Sequence, residues 1–163
     1  MKNQKVVEGL KKQHLFEIES AYVYLGMAAY CKGRGYDGFA RFMTLQAQEE
    51  LEHAQKFFDF LYEIEEEVEL NELPAVTKEY ESILDVFSTA LEHEREVTKR
   101  IHDIYADALE SKDYAAKDFL DWFIAEQREE EDTFLGIIDK LEKFNEVPTT
   151  LYLYDKELGR RQE

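Results

Sequence analysis

Cysteine, proline, glycine and basic side chains are all scarce in this chain, and each shortage excludes something. A lone cysteine, Cys31, cannot close an internal disulfide, which rules out a scaffold held together by disulfides. The start, MKNQKVVEG, lacks the apolar core of a secretory signal, and no apolar stretch approaches the roughly 20 residues needed to span a bilayer. These absences predict a cytoplasmic protein with no membrane segment. Lys and Arg number 20 against 37 Asp and Glu, a formal charge of -17. Such a field repels nucleic acid and anionic lipid and attracts cations, although acidity also serves solubility alone.

With seven Gly and two Pro in 163 residues, long segments rich in Glu, Ala, Leu and Lys run uninterrupted at helical spacing. Hydrophobic residues make up 44% and aromatics 13%, enough for one globular domain over residues 1–163. Four long helices are expected, at about 5–32, 38–66, 78–110 and 114–144. The glycine-rich GRGYDG (33–38) and the SKD turn (111–113), with Asp113 as a cap, are short and join antiparallel neighbours. The middle connection, EVELNELPAVT (67–77), suits an extended strap. Its reach of about 36 Å approaches the roughly 42 Å length of a 28-residue helix, so it can cross over the whole bundle. Beyond Pro148, Thr149 or Thr150 can cap a short fifth helix at about 150–160. The expected fold is all-α: a four-helix bundle over about 5–144, with one long crossover between helices 2 and 3 and a short fifth helix.

Turning each helix by 100° per residue sorts the side chains into faces. On the second helix Phe39, Met43, Gln46, Glu50, His53, Phe57 and Leu61 share one stripe, with the polar residues at its centre. The first helix aligns Leu10, Glu17, Ala21 and Tyr24; the third, Phe87, Ala90, Glu94, Val97 and Ile101; the fourth, Phe123, Gln127, Glu130 and Phe134. Glu17, Glu50, Glu94 and Glu130 each lie near their own helix midpoint, so antiparallel packing brings them to one level. A single such carboxylate could snorkel to water at a stripe edge. Four at one height, with no Lys or Arg at the central positions, call for compensation, because buried like charges each cost several kcal/mol. Two divalent cations would balance them, with His53 and Gln127 adding a nitrogen and an oxygen ligand. An oxygen-rich set with one imidazole and no thiolate suits iron or manganese better than structural zinc.

With these residues the chain resembles the bacterial non-haem ferritins, members of the ferritin-like di-iron carboxylate family, over nearly its whole length. The family's pattern of one Glu on each of two helices and Glu-x-x-His on the others is met by Glu17, Glu94 and Glu50-x-x-His53. The fourth helix departs from it: Gln127-x-x-Glu130 has no second His, as in non-haem ferritins. Leu51 stands where bacterioferritins carry a haem-binding Met, so no haem is expected, and a lone Cys excludes the extra iron site of rubrerythrins.

The resemblance implies two iron ions per subunit, the first held by Glu17, Glu50 and His53, the second by Glu94, Glu130 and Gln127, with Glu50 bridging. It implies a third iron site from Glu49, Glu126 and Glu129 with Glu130, although a solvated acidic face explains those residues as well. It makes Tyr24 a tyrosine that hydrogen-bonds Glu94 and donates an electron, where packing alone would give a buried core Tyr. His14, His93 and His102 read as structural or surface residues, and Trp122 as packing.

The implied activity is oxidation of Fe²⁺ by O₂ or H₂O₂, with storage as a ferric mineral inside a hollow oligomer. A second apolar face on the first helix, Leu15, Ile18, Tyr22, Leu25 and Ala29, predicts a symmetric homodimer, and the resemblance extends this to 24 subunits. Two rivals stand beside this reading: a non-catalytic subunit that leaves oxidation to a partner chain, and a di-iron oxygenase acting on an organic substrate.

Overall fold

A computed structural model describes residues 2–162, and among them the regular secondary structure is five α-helices. Helix α1 (Gln4–Gly33) starts at Asn3, whose side chain accepts from the amides of Lys5 and Val6. A tight turn through Gly35, at φ 83°, leads into α2 (Asp37–Glu63). Helix α3 spans Ile83–Glu110, and α4, Tyr114–Phe144, is capped by Asp113 as the SKD turn predicts, its carboxylate accepting from Ala116 N at 3.2 Å. Helix α5 is Pro148–Leu158. The helices α1 and α2 pack along one another, as do α3 and α4, and α1 also lies on α3. Among the described residues no helix is long and apolar enough to cross a membrane.

The crossover is longer than the sequence suggests. Helix α2 stops at Glu63, where Glu65 turns to a positive φ of 62°, and α3 begins at 83 rather than 78. Two local bonds account for the late start. The Thr77 hydroxyl accepts from Glu79 N at 2.9 Å and so competes with helix formation, and Ser82, fully extended, caps the Asp85 amide. The strap therefore covers 64–82. It passes over α1 at Gly26, where an added Cβ would lie 2.3 Å from the Thr77 carbonyl oxygen. Its ends pack on opposite ends of the bundle, Val68 on one apolar cluster and Tyr80 on the other.

Those two clusters are separate bodies of core. One contains Tyr24, Met27, Phe39, Phe87 and Phe134; the other Leu10, Phe57, Ile101, Leu120 and Phe123. The level between them is polar, and it is there that the stripes carry their Glu, Gln and His.

Helix α5 begins at Pro148, with Val147 rather than Thr149 or Thr150 in the capping position and no side-chain cap. Proline at the first helical position lacks only an N–H that would have gone unpaired. In return α5 serves α2. Tyr36, at the start of α2, offers no side-chain bond, and the buried Asp155 supplies one from across the fold, accepting from Phe39 N at 2.7 Å. The two helices approach so closely that a Cβ on Gly38 would lie 1.7 Å from the Asp155 carbonyl oxygen. Asp155→Ala should destabilise the protein by about 1–2 kcal/mol, the usual range for a lost cap. Chemical denaturation of wild type and variant measures it; an unchanged midpoint would deny the capping role.

On α1 the second apolar face is partly open, with Tyr22 45% and Leu25 49% exposed and Leu15 and Ile18 half-buried.

Candidate metal centre

The polar level is closed to bulk solvent. Glu17, Glu50, Glu94 and Gln127 have no exposed surface, and His53 and Glu130 retain 2% and 7%. Helical spacing turns all six inward, and antiparallel packing brings their midpoints together. Ligand atoms of Glu17, Glu50 and His53 lie within 4.8 Å of one another, as do those of Glu50, Glu94 and Glu130. Glu50 belongs to both groups, so its carboxylate stands between two adjoining cation-sized positions.

Neutral donors hold the carboxylates from outside. Tyr24 Oη donates to Glu94 Oε1 at 2.6 Å, and Gln127 Nε2 donates to Glu94 Oε2 at 3.0 Å. Gln13 Nε2 donates to Glu17 Oε1 at 3.2 Å, while Gln46 Nε2 serves both Glu50 Oε1, at 3.1 Å, and Glu130 Oε2, at 2.7 Å. Sequence reasoning places Gln46 on the inner stripe without a role and overlooks Gln13. The signal is present: each stands four residues before an inner Glu, one helical turn away on the same face.

Among the described residues five buried side-chain polar atoms have no hydrogen-bond partner, and four belong to this level: Glu17 Oε2, Glu50 Oε2, His53 Nδ1 and Gln127 Oε1. His53 Nδ1 and Glu50 Oε2 are 3.3 Å apart but are not aligned as a hydrogen bond. Unsatisfied groups at such depth are destabilising unless a further partner arrives. Three of the four are lone-pair acceptors, and the fourth is an imidazole nitrogen that becomes one when neutral. That donor set fits divalent cations.

Electrostatics point the same way. Burial pushes the Glu17 carboxyl up to about 7, with the Glu94 charge adding to it. Burial and then the charge of Glu17 raise Glu50 to about 8. Glu94 is raised well above the usual range, first by burial and then by Glu50. Glu130 rises to about 11 through burial and the charges of Glu94, Glu49 and Glu50. For His53 burial opposes the charged ring, but Glu50, Glu49 and Glu126 outweigh it and the net shift is upward. Without metal, protons stand in for cations here.

Toward the outside His53 presents Nε2 to Glu49 Oε1 at 4.0 Å and to Glu126 Oε1 at 3.9 Å, and these three form a third compact group. Glu129 is not part of it; its side chain is exposed and lines an open surface groove together with His102. One basic group reaches this edge that the helical stripes do not reveal: Arg161, beyond α5, whose Nη2 lies 2.6 Å from Glu49 Oε2. Among the described residues no Lys or Arg pairs with the inner four carboxylates in this way. His93 hydrogen-bonds Ser20 at 2.7 Å and stacks on Phe16; burial and then Arg100 lower it to about 4. His14 is buried near Phe58, and Trp122 packs edge-on against His53 with Lys56 over its face.

The model of the ferritin-like domain family matches residues 7–144. The chain belongs to the ferritin family. It is 41% identical over 161 residues to a bacterial non-heme ferritin of Staphylococcus haemolyticus, covering 99% of this chain and 97% of that protein. A probable bacterial non-heme ferritin-like protein of Haemophilus influenzae is 38% identical over 159 residues, 98% of this chain and 96% of the other. Among solved structures, an open pore ferritin of the hyperthermophilic archaeon Archaeoglobus fulgidus superposes with a TM-score of 0.97 at 44% identity, covering 99% of this chain and 100% of that one. Bacterial non-haem ferritin is thus the branch that its residues and its relatives share.

Proposed function

We propose that this ferritin takes up Fe²⁺ in pairs, oxidises it between α1, α2, α3 and α4, and passes Fe³⁺ to a mineral held inside a hollow homo-oligomer of 24 subunits. The observation that carries this reading is Glu50: one buried carboxylate common to two triads, flanked by unpartnered ligand atoms. Glu17, Glu50 and His53 would hold the first iron, and Glu50, Glu94 and Glu130, with Gln127 Oε1, the second. Neighbouring Fe²⁺ ions can each give one electron, and the pair of electrons with two protons takes O₂ to H₂O₂, or H₂O₂ to water.

The chain's own residues prepare that exchange. Protons resident on the carboxylates leave as Fe²⁺ enters, so each uptake releases acid. Gln13 and Gln46 fix one oxygen each of Glu17, Glu50 and Glu130, while Tyr24 and Gln127 hold both oxygens of Glu94, and Glu17 Oε2 and Glu50 Oε2 stay free to change binding mode as iron charge rises. Tyr24, 2.6 Å from Glu94, would supply an electron close to the second iron. Glu49 and Glu126, which flank the outer nitrogen of His53, would form with exposed Glu129 an outer stop for a third iron. The open apolar face of α1 would close in a two-fold dimer from which the larger shell is built.

Anaerobic calorimetry followed by aerobic loading tests this. Two Fe²⁺ per subunit should bind with proton release, and repeated additions in air should leave hundreds of iron atoms in one soluble assembly of about 24 chains. Failure to load iron beyond the bound pair would favour the oxygenase reading, and loading without oxidation by the isolated protein would favour the non-catalytic subunit.

A further inference from the structure

The tail beyond α5 ends in a specific set of bonds on the metal centre. Arg161 Nη1 donates to Gln46 Oε1 at 2.8 Å and to the Phe42 carbonyl at 3.2 Å, and its Nη2 donates to Glu49 Oε2 at 2.6 Å. Its guanidinium also lies 4.5 Å from the Phe42 ring centroid. The side chain keeps only 21% of its surface exposed. From the other side Arg41 Nη1 clamps the tail, donating to the carbonyls of Gly159 at 2.8 Å and Arg161 at 2.6 Å. Asp155 and the Gly38 contact anchor the helix that delivers it.

A guanidinium has donors and no acceptor, so Gln46 must face it with oxygen. Its amide nitrogen is then committed to Glu50 and Glu130. Arg161 therefore touches the inner centre through one buried amide and the outer group directly, through Glu49.

We propose that Arg161 is the resident cation of the outer site: its guanidinium neutralises Glu49 while the Glu49–Glu126 pair beside His53 is empty, and a divalent cation entering there weakens the docking of the C-terminal tail. This rests on the reading that the outer group receives a cation. A dication held by those two carboxylates would sit beside a fixed positive charge that shares one of them. Binding of each is opposed by the other, and by linkage the opposition is mutual. The consequence for iron traffic is a stop that fills transiently and empties, since the tail competes to return. Arg161 acts through Glu49 and Gln46 and is a positioning residue.

Titration of the full-length, metal-free assembly with Co²⁺ under nitrogen tests it. Wild type should show two tight equivalents per subunit and a weaker third. In Arg161→Gln the third should tighten about fivefold, the scale of one partly exposed ion pair, with the first two within twofold of wild type. Arg161→Lys retains the charge and should stay closer to wild type. Arg41→Gln, which loosens the tail without touching a carboxylate of the centre, should move the third equivalent in the same direction as Arg161→Gln. In wild type the Arg160 and Arg161 amides, now bonded to Glu157 and Leu158 carbonyls, should exchange hydrogen faster once the third equivalent is bound. A third equivalent that is unchanged or weaker in Arg161→Gln would overturn the role of Arg161 and leave the outer site standing. Absence of any third equivalent in all four proteins would overturn both, while the inner pair would still report on the di-iron centre.

Discussion

Replacing Glu50 by Ala should slow the oxidation of the first two Fe²⁺ per subunit by about 100-fold or more, the scale expected when reacting partners lose their mutual position. Glu50 is the one residue in both inner triads, so its loss leaves Glu17 with His53 on one side and Glu94 with Glu130 on the other, with no group in common. The first half would retain two protein ligands and the second, with Gln127, three, and the separation between the metals would no longer be fixed by a shared carboxylate. Stopped-flow absorbance after mixing metal-free protein with two Fe²⁺ per subunit in air reads the effect. Glu126→Gln, outside both inner triads, should leave this first phase within about twofold of wild type, since only the outer group loses a charge. A Glu50→Ala protein that oxidises iron at the wild-type rate would remove the inner centre as the site of the reaction.

The same residue governs the second large effect, on stability. Glu17 and Glu50 have ordinary values of 4.5 and are raised to about 7 and about 8 in the fold. A carboxyl whose folded value lies above its unfolded one favours the fold fully below the unfolded value, and that contribution is lost as pH rises through the folded value. The metal-free protein should therefore lose stability between about pH 4.5 and 8, by about 4–5 kcal/mol, the scale of the Glu50 shift alone; the protons are shared within one cluster, so the loss is smaller than separate shifts would sum to. Saturating Fe²⁺ under nitrogen, or Co²⁺ as an inert mimic, should restore it at pH 8. At a thousandfold excess over Kd the gain is about 4 kcal/mol, or about 10 °C in Tm for a domain of this size. Glu50→Gln should be more stable than wild type without metal at pH 8 and respond far less to metal. Calorimetry across pH 5–8 with and without Co²⁺ decides the matter: a flat metal-free profile, unmoved by Co²⁺, would mean that the carboxylates are not the strained element of this core.

Most of the inner centre is legible in the amino-acid sequence because helical geometry is local. Once residues 38–66 are read as one helix, Gln46, Glu50 and His53 must share a face with Met43 and Phe57, whatever that face packs against. The same holds for Glu17, Glu94, Gln127 and Glu130, and short turns at 34–36 and 111–113 oblige neighbouring midpoints to meet. Even the pairing of Gln13 with Glu17 and of Gln46 with Glu50 follows a plain one-turn spacing. Boundaries are less legible. Thr77 and Ser82 can both start a helix, and only the path of the strap over Gly26 shows that Thr77 is held in a turn while Ser82 becomes the cap.

The composition and periodicity of this chain determined, by themselves, four long helices, one full-length crossover, and a level of buried carboxylates that ask for cations, since each of these depends on residues within a few turns of one another. Tertiary structure alone decided which partners those carboxylates receive from afar. Asp155 reaches the α2 N-terminus and Arg161 reaches Glu49 across more than a hundred residues of chain, through a close crossing that Gly38 permits. It also turned Glu129 away to solvent while Glu126, one turn before it, faces His53. A periodic pattern records which side of a helix a residue occupies, but a charge responds to whatever lies within a few ångströms, and that neighbourhood exists only after distant segments have docked.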